Sequence, residues 1–149
     1  MNFSVLKERN IMKKIVMLIL LIVSSSVFAG WTLVSVSNDD DDDDDDDTTF
    51  FVDFQSIRKK GNKVIMVNMV DHKRIHTEGK YKFLSSTERN EYDCSEESIK
   101  QLGFSWYSEN LKHGDVVYSQ INNQTQLEPA PITPDSVGES LFNIACGKK

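Results

Sequence analysis

The sequence predicts an α+β domain: a small antiparallel sheet of five or six strands, one C-terminal helix packed on it, and one disulfide. Three observations carry this. Short β-branched and aromatic runs, separated by turn residues, follow one another from Trp31 to Ile121. Beyond prolines 129, 131 and 134 the apolar residues switch to helical spacing. The only two cysteines, Cys94 and Cys146, stand in a chain that opens like an exported one, and thiols in oxidising compartments normally pair.

The opening segment has the parts of a secretory leader. Lys13 and Lys14 form a basic start, Ile15 to Val23 is an unbroken apolar run, and Val27-Phe28-Ala29 puts small residues at a cleavage point. The run is well short of the roughly 20 apolar residues that cross a bilayer, so no membrane insertion is expected of the mature form. The division is therefore a signal peptide at 1–29 and a domain at 30–149, enough chain for one modest core. Met12 opens a cleaner leader than Met1 does. Ser24 to Gly30 contains no cysteine for lipid attachment, so the product is expected free, in the periplasm, at the cell surface or in the extracellular space of a Gram-negative bacterium.

Trp31–Ser37 and Thr49–Asp53 read as the two strands of a hairpin with an overgrown loop. Arg58 to Asn62 reads as a turn, and Lys63–Asp71 as a central strand because it is apolar on both faces. A polar loop is expected through Gly79, then a polar strand within Tyr81–Asp93. Leu102, Phe104 and Trp106 alternate with polar or small residues as in a half-buried strand. His113-Gly114-Asp115 turns the chain into Val116–Ile121. The three prolines should break any ladder. Thr133 is the expected N-cap, with Pro134 at the first helical position and Asp135 in the first turn. Val137, Leu141, Ile144 and Ala145 then form the inward stripe, and Gly147 closes the helix. The two-sided strand from Val64 to Val70 needs a cover on its second face, for which a homodimer is one candidate.

Charge is unevenly placed. Of 17 basic and 23 acidic residues, the leader holds four and one, and nine of the acids form the run Asp39–Asp47, so the rest of the domain carries 13 of each. That balance points away from nucleic acid. The acidic run, at 39–47, lacks the alternating ligands, glycine turn and closing glutamate of a calcium loop; a solvated low-complexity tip is expected, with diffuse cation binding as the lesser reading. Candidate ligand-binding residues are Arg58, Lys59, Lys60 and Lys63 about one turn and Lys73 and Arg74, with Lys80 and Lys82, about the next. Were both loops at one end of the sheet, they would form a patch for acidic glycans or matrix proteins. His72 and His76 have metal-ligand spacing only on a helix, Asn123-Gln124-Thr125 matches a glycosylation sequon, and no catalytic residue, metal or cofactor is assigned because no nucleophile elbow, phosphate loop, zinc helix or dinucleotide fingerprint occurs.

Several residues together resemble a known family. Trp31, Phe51-Val52-Asp53 followed by Ser56-Ile57-Arg58, Gly61, Tyr81 with Ser85, Tyr92-Asp93-Cys94, Gly114 with Val116-Val117, Pro134-Asp135-Ser136, Gly138-Glu139, Leu141 and Cys146 are similar, in order and rough spacing, to the surface-adhesin protein E family. Leu127 stands where that pattern often has tryptophan. The resemblance implies a compact antiparallel sheet with a packed C-terminal helix and an internal disulfide. For function it implies a non-enzymatic exported binding protein whose partners are host matrix proteins such as laminin and vitronectin. A periplasmic structural or envelope-maintenance protein with no host ligand is the alternative.

Overall fold

A computed structural model describes residues 30–37, 48–122 and 127–148. The expected leader, the acidic run 39–47 and the sequon at 123–125 lie outside the described residues. Six strands, β1 (Trp31–Ser37), β2 (Thr48–Lys60), β3 (Lys63–Glu78), β4 (Tyr81–Asp93), β5 (Ser98–Tyr107) and β6 (Val116–Ile121), pair antiparallel in chain order. A seventh, β7 (Ala130–Pro131), pairs with Ser98 and Ile99 at the start of β5. Six main strands agree with expectation. The seventh does not, because a proline at a sheet edge gives up no ladder bond and so need not end pairing.

Two expected loops are strand instead. β2 runs through Arg58, Lys59 and Lys60 to a two-residue connection, Gly61-Asn62, where Gly61 supplies a φ of 60°. β3 continues past Asp71 to Glu78, and only Gly79 and Lys80 turn the chain into β4. The polarity of Lys73, Arg74 and Thr77 suggested a loop, yet these are exposed strand positions, Lys73 and Arg74 within a register irregularity between Asp71 and His76 and Thr77 just beyond it.

The helix α1 (Val137–Cys146) begins three residues later than expected, at Val137 instead of Pro134. Asp135 has a φ of 58°, which takes Thr133 and Pro134 off the helical path. Ser136 caps instead: its Oγ accepts from Glu139 N at 3.1 Å, while Glu139 Oε2 accepts from Asp135 N at 2.8 Å. At the far end Gly147 is left-handed, as its position predicted, and Lys148 N donates to Asn143 O at 2.9 Å.

Leu141, Phe142 and Ala145 of α1 pack on Val52, Val64, Met66 and Tyr92, a cluster of buried residues on one face of the sheet. Phe142, absent from the predicted stripe, is almost wholly buried, its ring 6.3 Å from that of Tyr92. Each such ring contributes about 1.5–3 kcal/mol through burial. The Tyr92 phenol is pushed well above its ordinary pKa, chiefly by that burial.

Cys94 and Cys146 are bonded, 52 residues apart in sequence. Around them the chain is tied several times over. Cys94 N donates to Asn62 O at 2.9 Å, so the β2–β3 connection meets the end of β4. Asp93 Oδ1 accepts from Ser95 Oγ at 2.7 Å and from Ser95 N and Glu96 N at 3.1 Å, which holds the β4–β5 turn. Lys148 Nζ bonds Glu97 Oε1 at 2.5 Å. The Ser95 hydroxyl and the Glu96 N–H hold the Asp93 carboxyl below its ordinary range, and the Lys148 ammonium does the same for Glu97.

Three outcomes are expected. Cys146→Ser should lower unfolding free energy in urea by about 4 kcal/mol, the chain-entropy value for a loop of this size; the oxidised parent should show no free thiol by mass spectrometry. Ser136→Ala should cost about 1 kcal/mol in the same titration. Depressed carboxyl pKa values contribute stability fully present above the unfolded values near 4 and lost as pH falls through the lower folded ones. Thermal melts should therefore be flat in this respect above about pH 5 and decline on further acidification, less steeply in Asp93→Asn.

Candidate binding surfaces

β2 carries a wide irregularity between Asp53, opposite Val67, and Arg58, opposite Ile65. It is closed by its own side chains. Gln55 N donates to Asp53 Oδ1 at 2.9 Å, Ser56 Oγ donates to Asp53 O at 2.6 Å and accepts from Val67 N at 2.8 Å. Arg58 Nη1 then donates to Gln55 O and Ile57 O, at 2.7 and 2.9 Å. The guanidinium is thereby pinned to the backbone. This local structure aims the end of β2 over a groove of about 770 Å³, lined by Arg58, Lys59, Lys60, Lys63 and Lys100 together with Ile65 and Glu91.

Lys63 is paired within the groove. Its Nζ lies 2.7 Å from Glu91 Oε1, and that hydrogen bond with the attendant charge raises the ammonium pKa. The pair is exposed, so its worth to stability is small. Next to it a cleft of about 410 Å³ shares Lys63, Glu91 and Lys100 with the groove and adds the carboxylates of Asp93 and Glu96.

Four of the six predicted binding residues, Arg58, Lys59, Lys60 and Lys63, thus line one groove, joined by Lys100, which sequence reasoning missed. Lys100 lies opposite Glu91 across the β4–β5 pair, a neighbourhood that pairing register alone reveals. Lys73 and Arg74 are elsewhere. They sit ten and eleven residues further along β3, roughly 30 Å away at about 3.3 Å per residue. The two turns lie at opposite ends of β3, so the two basic clusters do not merge.

His72 and His76 are brought together without a helix. The irregularity between Asp71 and His76 places their rings 3.8 Å apart, each within 6 Å of Phe83. Among the described residues no group of three or more His, Cys, Asp or Glu gathers as a cation site.

Beside the histidines runs an aromatic cluster that alternation hinted at only for β5. Trp106 stands between Ser86 of β4 and Tyr118 of β6, in the cross-strand row that starts at Val70, and so on the face that carries α1. Phe83 stacks on Trp106 at 4.7 Å, while Tyr118 lies 5.0 Å from Trp106 and 4.9 Å from Tyr81. Trp106, Phe104, Tyr118 and Tyr81 are each half-buried. The opposite face is held there by the β5–β6 connection: Leu111 N donates to Asp71 Oδ1 at 2.6 Å, and Ser85 Oγ donates to Glu109 O and accepts from Lys112 N, at 2.6 and 2.9 Å.

Comparison with solved structures places this architecture. The chain is similar to Haemophilus influenzae protein E, with a TM-score of 0.54 at 18% identity over 83% of this chain and 88% of that one. Protein E from non-typeable Haemophilus influenzae gives 0.52 at 16% identity over 83% and 79%. A second crystal form of the Haemophilus influenzae protein gives 0.51 at 17% identity over 66% and 80%. At such identities the likeness speaks for the fold. No curated protein matches. The family described as surface-adhesin protein E matches residues 31–147, from the first strand through the disulfide to the residue that closes α1, and on that match the chain belongs to the surface-adhesin protein E family.

Proposed function

We propose that this protein is an exported, non-enzymatic adhesin that engages host extracellular-matrix proteins, delivered by a leader cleaved after Ala29. The observation that carries the reading is the family match over residues 31–147, which takes in the sheet, the disulfide and the helix together. The disulfide suits an oxidising compartment. Among the described residues no helix is long and apolar enough to cross a membrane. The basic groove and the half-buried aromatic cluster supply two chemically distinct contact surfaces on one sheet, the first suited to charge steering and the second to apolar contact.

Purified oxidised protein should be retained on immobilised matrix proteins at physiological salt, above an unrelated acidic protein of like size. Protease added to intact cells should remove it while sparing a periplasmic marker. No retention, together with protection from protease, would reject the adhesive reading.

A further inference from the structure

We propose that the groove at the end of β2 is a binding site for a linear sulfated polysaccharide, a glycosaminoglycan-like chain. The assignment rests on the adhesive reading only for where such a chain is met; its chemistry stands on the groove itself. Among the described residues that line it, Arg58, Lys59, Lys60 and Lys63 meet one carboxylate, Glu91, which Lys63 engages at 2.7 Å, so the excess positive charge lies on Arg58, Lys59 and Lys60 even with Lys100 left out of the count. The surplus is cationic, and it is gathered in one depression instead of being spread over the sheet.

Two features select the ligand. First, the site is built in advance: the closed irregularity of β2 and the two backbone carbonyls that hold Arg58 Nη1 fix the guanidinium before any ligand arrives, so less side-chain freedom is lost on binding. Guanidinium and sulfate then meet as planar donor fork and oxygen pair. Second, among the described residues the lining contains no aromatic ring, and Ile65 is its one apolar side chain. Single-stranded nucleic acids and neutral sugars are gripped largely by stacking on aromatic rings, whereas a sulfated chain is held by charge. The cleft alongside adds Asp93 and Glu96 to the shared Lys63, Glu91 and Lys100, so the positive surplus ends on that flank and a polyanion is favoured on the β2 side.

Heparin oligosaccharide is the probe, with desulfated heparin, single-stranded DNA and inorganic sulfate at matched ionic strength as comparators. The purified oxidised chain should bind heparin, with desulfated heparin and DNA at least about tenfold weaker. Inorganic sulfate should compete no better than chloride. By the counterion-release relation known for nucleic acids, each neutralised charge adds somewhat under one unit to the slope of log K against log salt. The triple change Arg58→Gln, Lys59→Gln and Lys60→Gln should then cut that slope by about two to three units and weaken heparin binding about tenfold or more near 0.1 M salt. Lys73→Gln with Arg74→Gln, which alters net charge at the far end of β3, should change affinity less than about threefold, and circular dichroism melts should show both variants folded. Unaltered heparin binding in the triple variant, equal loss in the distant double variant, or equal affinity for DNA or desulfated heparin would each overturn the assignment. Adhesion is scored separately, on matrix proteins treated with heparinase. Loss there with heparin binding intact removes the adhesive reading alone; retention there with no heparin binding removes the groove alone.

Discussion

The bond between Cys94 and Cys146 is the constraint on which the rest of this fold depends. A ten-residue helix is too short to persist in water by itself, and α1 offers only Leu141, Phe142 and Ala145 as buried anchors. The crosslink sits at its last residue, one position before the left-handed Gly147 that ends it. Its other half is fixed from three sides: by the hydrogen bond from Cys94 to Asn62, by the Asp93 turn and by the ion pair between Glu97 and Lys148. Helix position, the β2–β3 connection and the β4–β5 turn are therefore set at one place. Packing of Phe142 against Tyr92 follows from that placement and reinforces it.

The same constraint reaches the basic groove. Asn62 belongs to the connection that joins Lys60 to Lys63, and Glu91 stands two residues before Asp93 on β4. What fixes the disulfide region thus also fixes the rim of cations. The irregularity in β2 adds direction, because inserting residues on one strand without a match on its partner re-aims the side chains that follow. Arg58, Lys59 and Lys60 owe their shared outlook to that insertion.

Much of the architecture was legible in the sequence because it is written in short-range chemistry. The aromatic strand character of Leu102 to Trp106, the β-branched run of β1 and the glycine after Cys146 each report a local requirement that the fold meets, although Leu102 falls in a register irregularity and burial there does not alternate as its spacing suggested. Strand limits were less legible where polarity and exposure coincide, as at Lys73 and Arg74, since a solvent-facing strand position and a loop accept the same residues. The helix cap was misplaced because Thr133-Pro134 offers the right residue types, and only the positive φ of Asp135 shows that Ser136 takes the role. Of the candidate site, Arg58 to Lys63 are neighbours in sequence and could be read there. Lys100, the pairing of His72 with His76 and the meeting of Trp106 with Tyr118 and Phe83 depend on strand register, which no spacing along the chain discloses.

α1 covers only one end of a sheet whose longest strand has 16 residues. The two halves are held by different means: aliphatic side chains, two rings and the crosslink under the helix, and aromatic contacts with the Asp71 and Ser85 hydrogen bonds at the far end. Such a molecule has two zones of unequal local opening energy joined by β3 and β4, which pass through both. Amide protons in those two central strands become the slowest to exchange with deuterium, while the short edge strand β6 breathes on its own. Reducing agents would then accelerate exchange first in the zone beneath the helix, leaving the aromatic zone as a partly autonomous cooperative unit.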